Sequence, residues 1–153
     1  MLSAVAAGSA ASLALVPGPA VAGNPHDVLR ADLLPSLTTF PPIFGVQPGG
    51  APWVIDRGEV RVRDDGRMDV RIEGLQIPAV DGTAQNPVAS VDAVLYCGGQ
   101  PVGDSGPQPL SVPDGDARFR ADITVPDTCD DPVVLISPTA AVGARYIAFT
   151  PVS

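Results

Sequence analysis

The chain has 153 residues and a mass of 15.6 kDa, with nine arginines, no lysine and 17 acidic side chains, so its net charge is −8 and its pI near 4.3. That is the length of one domain. Arginines that alternate with carboxylates in an acidic chain make no basic footprint for phosphate backbones or anionic membranes, which argues against nucleic acid as a partner. One histidine and two cysteines leave the common zinc sites short of ligands, no cofactor is implied, and a Ser-His-Asp enzyme would depend on His26 alone.

Residues 1–22 carry no charge. An apolar and small-residue run from Leu2 to Val16 is followed by Pro17-Gly18-Pro19 and then Ala20-Val21-Ala22. This order reads as a signal-peptide core, a helix-ending step and a cleavage site between Ala22 and Gly23, although the usual positive amino-terminal region is missing. The apolar stretch is shorter than the roughly 20 residues that span a bilayer, so no membrane span is expected in the mature chain. Residues 23–52 form a Pro/Gly-rich arm. Within it Asn24-Pro25 is expected to cap a short helix running through His26, Val28, Leu29, Asp32 and Leu33 until Pro35 ends it. The bulky run Phe40-Pro41-Pro42-Ile43-Phe44-Gly45-Val46 is expected to lie extended along a sheet edge.

Residues 53–153 read as the body of the domain. With 18 Pro and 16 Gly the chain nears the composition of disordered segments, and patterning decides against disorder. Trp53 to Asp56 is a short candidate strand. Val60 and Val62 then alternate with Glu59, Arg61 and Arg63; Asp64-Asp65-Gly66 interrupts; Met68, Val70 and Ile72 alternate with Arg67, Asp69, Arg71 and Glu73. Period 2 on both sides of an Asp-Gly turn predicts a β-hairpin with one dry and one charged face. On the wet face, arginines and carboxylates are expected to pair across strands.

Further strands are expected at Val88 to Cys97, Pro109 to Val112, Ala117 to Thr124, Val133 to Ser137 and Ala144 to Thr150, the fourth being apolar on both faces. In the first of these, Val91, Ala93, Leu95 and Cys97 oppose Ser90, Asp92, Val94 and Tyr96. Seven or eight strands and no long amphipathic helix predict an all-β, antiparallel β-sandwich, with a partly closed barrel as the alternative.

Two cysteines in an exported chain are expected to pair, and a Cys97–Cys129 bridge closing about 33 residues would stabilise by roughly 3 to 4 kcal/mol. His26 lies too near the mature amino terminus to be held as a catalytic base. Two loops gather oxygen ligands of the kind calcium takes, Asp114-Gly115-Asp116 and Asp127 with Asp130-Asp131, without EF-hand spacing. Trp53, the only tryptophan, reads as a core residue, with an exposed stacking platform as the alternative.

Gly45-Val46-Gln47-Pro48-Gly49-Gly50-Ala51-Pro52-Trp53-Val54, the hairpin ending in Gly74-Leu75, Cys97, Cys129 and Tyr146-Ile147-Ala148 together resemble small exported actinobacterial proteins of unassigned function. A fainter likeness, a polar turn paired with a strand ending in Gly-Leu, is to the CHRD module. These resemblances imply a secreted Ig-like or CHRD-like sandwich and carry over no catalytic, cofactor or metal residues. The expectation is a secreted or envelope-associated, non-enzymatic domain with a binding or structural role and a protein or polysaccharide partner outside the cell. A carboxylate-based hydrolase of envelope polysaccharide and a calcium-stabilised adhesion module are the alternatives.

Overall fold

The computed structural model describes residues 25–152. The expected signal peptide and the Ala22–Gly23 junction lie outside them. In chain order the strands are β1 (Asp27–Asp32), β2 (Leu34–Pro35), β3 (Gln47–Pro48), β4 (Arg57–Arg63), β5 (Arg67–Glu73), β6 (Ile77–Pro78), β7 (Ala84–Gln85), β8 (Ser90–Cys97), β9 (Gln100–Asp104), β10 (Gln108–Pro109), β11 (Ala117–Asp122), β12 (Val133–Pro138), β13 (Arg145–Tyr146) and β14 (Ala148–Phe149). The helical content of the described residues is one 3-10 turn, Thr139–Ala141.

Two sheets face each other. One has the order β1-β4-β5-β11, and the other β10-β8-β12-β14-β2, with β9 also paired to β8. The fold is the expected all-β sandwich, and its sheets do not close into a barrel.

The Asp-Gly hairpin forms in the expected register. Val60 pairs with Val70 and Val62 with Met68, and Val60, Val62, Met68, Val70 and Ile72 are all buried. Gly66 adopts φ +96° and donates its N–H to Arg63 O at 3.0 Å, a backbone state that glycine reaches without a Cβ penalty. Val91, Ala93 and Leu95 of β8, with Val134 and Ile136 of β12, complete the core between the sheets.

Several local expectations are corrected. Residues 27–32 form a strand in place of the expected helix, because pairing with β4 from Leu29↔Val62 to Asp32↔Glu59 gives this backbone more than a short isolated helix would; a bulge near Asp27 breaks the alternation that would have revealed it. Trp53 to Asp56 keeps only an isolated bridge, Val54↔Gln76. Ala144 to Thr150 is not one strand. Residues 145–146 run parallel to β3, whereas 148–149 pair antiparallel with β12 and β2.

The Phe40 to Val46 segment does not run along an edge. Turns at Leu37–Phe40 and Ile43–Val46 fold it over the outer face of the larger sheet. There Phe44 packs on Tyr96 with centroids 5.2 Å apart, and Phe40 packs edge-on to Phe149 at 5.8 Å. Tyr146 donates its hydroxyl to Pro41 O at 3.1 Å. Val94, Tyr96, Val133 and Leu135 are thereby buried in a second apolar cluster with Val46 and Tyr146. This cover is why β8 is dry on both faces rather than alternating.

Cys97 and Cys129 form a disulfide with a sequence separation of 32. The enclosed chain adds β9 and β10 to the larger sheet and then β11 to the smaller one, and the chain returns to the larger sheet as β12 only after Cys129, so the bridge closes an excursion between the layers.

Candidate functional site

On a strand, residues i and i+2 share a face. The charged positions of β1, β4, β5 and β11 therefore gather on the outer face of the smaller sheet. Register aligns them in two rows: Arg30, Arg61, Asp69 and Arg120 across one level, and Asp32, Glu59, Arg71 and Arg118 across the next. All nine arginines except Arg145 lie on these four strands, eight in total. Six of the 17 carboxylates lie there too, which leaves this face at +2 and the remainder, eleven carboxylates with Arg145, at −10. Alternation that reads as dispersed along the chain is thus segregated by the pleat.

The rows enclose an open groove of about 470 Å³ lined by Arg30, Glu59, Arg61, Asp69, Arg71, Arg118 and Arg120. Three ion pairs form around it: Arg61 Nε to Asp27 Oδ1 at 2.7 Å, Arg71 Nε to Glu73 Oε2 at 2.8 Å and Arg120 Nε to Asp69 Oδ1 at 2.8 Å. The hydrogen bond from Arg61 holds the Asp27 carboxyl below its usual range. All three pairs are solvated, so they add little to stability. Arg30 and Arg118 have no ion-pair partner among the described residues. Each stands directly opposite another arginine, Arg30↔Arg61 and Arg118↔Arg71.

A second polar cluster lies on the larger sheet. Asp92 of β8 is 5% exposed. Its Oδ1 accepts a hydrogen bond from Thr139 Oγ1 at 2.8 Å, and Thr139 Oγ1 lies 2.6 Å from Ser90 Oγ. Burial, and next a hydrogen bond with the Asp104 carboxyl on β9, push the Asp92 carboxyl above its usual range; the Thr139 hydroxyl opposes this. Burial and the Asp104 charge also push the neighbouring Tyr96 phenol up. Folded Asp92 therefore keeps a proton that the unfolded chain releases above about pH 3.9, and stability falls as pH rises through that window. Asp92→Asn, which cannot ionise and still accepts from Thr139, is expected to gain on the wild type between pH 3 and pH 7 in urea-denaturation midpoints. A variant that loses ground over that range would show that Asp92 works ionised.

The remaining candidates take structural positions. His26 is exposed, and its backbone exchanges hydrogen bonds with Asp64. Asp116 Oδ1 accepts from Gly74 N–H at 2.9 Å. Gly115, at φ +75°, leaves no room for a Cβ against the Leu75 backbone, so this loop is a clamp on the hairpin end. Among the described residues no three His, Cys, Asp or Glu side chains gather as a metal site. Trp53 is buried in the main core.

Comparison with protein-family models, curated proteins and solved structures finds no match.

The arginine groove is what sequence reading missed. Its signal was present in part, since arginines occupy outward positions in both strands of the Asp-Gly hairpin and in Ala117 to Thr124. Which strands stand side by side was not legible.

Proposed function

We propose that this chain is an exported β-sandwich that acts at the cell envelope or outside the cell as a binding or structural domain, without catalysis. The observation that carries the reading is the Cys97–Cys129 disulfide with no free cysteine among the described residues, a bond that persists in oxidising compartments and is rare in reducing ones. The uncharged leader ending in Ala20-Val21-Ala22 supports the same compartment. Among the described residues no helix is long and apolar enough to cross a membrane.

Binding is favoured over a purely structural role by the open, charge-segregated groove. A carboxylate hydrolase needs two accessible carboxyls flanking the scissile bond, one with a raised pKa. Among the described residues the carboxyl with a raised pKa, Asp92, is buried and does not line the groove.

Mature protein recovered from medium or envelope is expected to begin at Gly23 and to show no thiol when denatured without reductant. A chain beginning at Met1 in the cytoplasm with two free thiols would overturn the reading.

A further inference from the structure

We infer that the groove on the smaller sheet binds a linear acidic polysaccharide whose carboxylates dock on two arginine pairs, Arg30 with Arg61 and Arg71 with Arg118. The inference rests on the reading of the chain as an exported binding domain and names its ligand.

Two features point to a ligand. Directly opposed like charges weaken strand pairing, and this sheet holds two such arginine pairs although the chain has 17 carboxylates with which to neutralise them. A third like-charge pair, Asp32 opposite Glu59, stands at one end of the same rows, and in each arginine pair one member, Arg30 or Arg118, has no ion-pair partner among the described residues. Two such pairs on one open groove are what a binding site looks like when part of its counter-charge comes from outside. The second feature is the separation of charge itself. A face at +2 on a molecule of −8 orients an anion toward the groove while the rest of the surface repels it.

The chemistry of the groove selects among anions. From strand spacing and rise, the two arginine pairs lie on the order of 12 Å apart on a diagonal across the sheet. A chain with discrete, spaced carboxylates can meet both, each through the paired N–H donors of a guanidinium fork. Between the pairs stand Glu59 and Asp69. These acceptors suit sugar hydroxyls and oppose the closely spaced phosphates of a nucleic acid. The aromatic residue that lines the groove, Phe119, is packed against the core, and the outward strand positions are charged, so the groove is poor in the open aromatic faces on which single-stranded nucleic acids stack.

The test is binding of the purified full chain to polygalacturonate, with dextran as the neutral polymer and a single-stranded DNA oligonucleotide as the phosphate polymer. Polygalacturonate is expected to bind, to be released as salt rises from about 0.05 M to about 0.5 M, and to outcompete both other polymers. The double variant Arg30→Gln/Arg118→Gln keeps the side-chain stems and relieves like-charge contacts. It is expected to fold with an unchanged or higher thermal midpoint and to bind about tenfold more weakly. Arg145→Gln, which removes one positive charge away from the groove, is expected to bind as the wild type does. Arg30→Lys/Arg118→Lys is expected to recover binding in part.

Equal binding to dextran, tighter binding to DNA, or full binding by the Gln double variant would each overturn the inference. If secreted, oxidised protein ignores polygalacturonate, the inference fails and the proposed function stands. If the chain is found reduced in the cytoplasm, the proposed function fails whatever the chain binds.

Discussion

Replacing Cys97 and Cys129 together by serine is expected to lower the unfolding free energy by roughly 3 to 4 kcal/mol, the chain-entropy value for the loop that the bridge closes. A domain holds only about 5 to 15 kcal/mol in total, so the urea midpoint should drop by a large fraction. The β-rich spectrum should survive at low temperature. Strand pairing inside each sheet does not need the bridge: Val133↔Tyr96 through Pro138↔Val91 hold β12 on β8, and Ala117↔Ile72 through Asp122↔Arg67 hold β11 on β5. What the bridge restrains is the excursion that carries β11, with Arg118 and Arg120, across to the other layer. Polygalacturonate binding should therefore weaken in the double serine variant as the temperature approaches its lowered midpoint. An unchanged midpoint would mean that the loop is already ordered in the unfolded chain and that the bridge adds nothing.

Trp53→Ala is expected to cost about 3 to 5 kcal/mol, the range for removing a large aromatic from a packed core. Trp53 is 4% exposed and belongs to the cluster between the sheets. Its backbone N–H bonds Ser36 O at 2.9 Å, and its indole nitrogen lies 3.1 Å from where a Cβ on Gly49 would stand. Loss of the ring opens a cavity between Ser36, Gly49 and the Val54–Gln76 bridge, whose backbone hydrogen bonds hold the walls apart. Trp53→Phe, which keeps part of the volume, should cost less. The measurement is the denaturation midpoint, with binding followed in parallel: a stacking platform would lose affinity at constant stability, and the opposite result is expected.

The elements readable from the chain were those whose information is local. Alternation around Asp65-Gly66 specifies a hairpin whose register cannot slip by one residue without turning Val60, Val70 and Ile72 out to water and the arginines in. The apolar run Val133 to Ser137 signals a strand covered on both sides. Two cysteines leave one possible pairing.

Tertiary structure decided the rest, because the deciding partners are distant in sequence. Val28, Leu29 and Leu33 suit a helix as well as a strand; β4, some thirty residues on, selects the strand by supplying backbone hydrogen bonds. Tyr146 and Ala148 look like one face of one strand, yet β3 and β12 pull them into different sheets, and Tyr146 ends in the outer cluster while Ala148 joins the core. Asp92 reads as a wet-face residue until the 3-10 turn and β9 pack around it and raise its pKa. The arginine groove follows the same logic. Each strand carries its charges in its own pattern, but Arg30 opposes Arg61, and Arg118 opposes Arg71, only because β1 and β11 were placed at the two edges of the β4–β5 hairpin. That placement is set by the buried faces, which select neighbours by shape and apolar area, and the charges on the outer face follow wherever the core puts their strands.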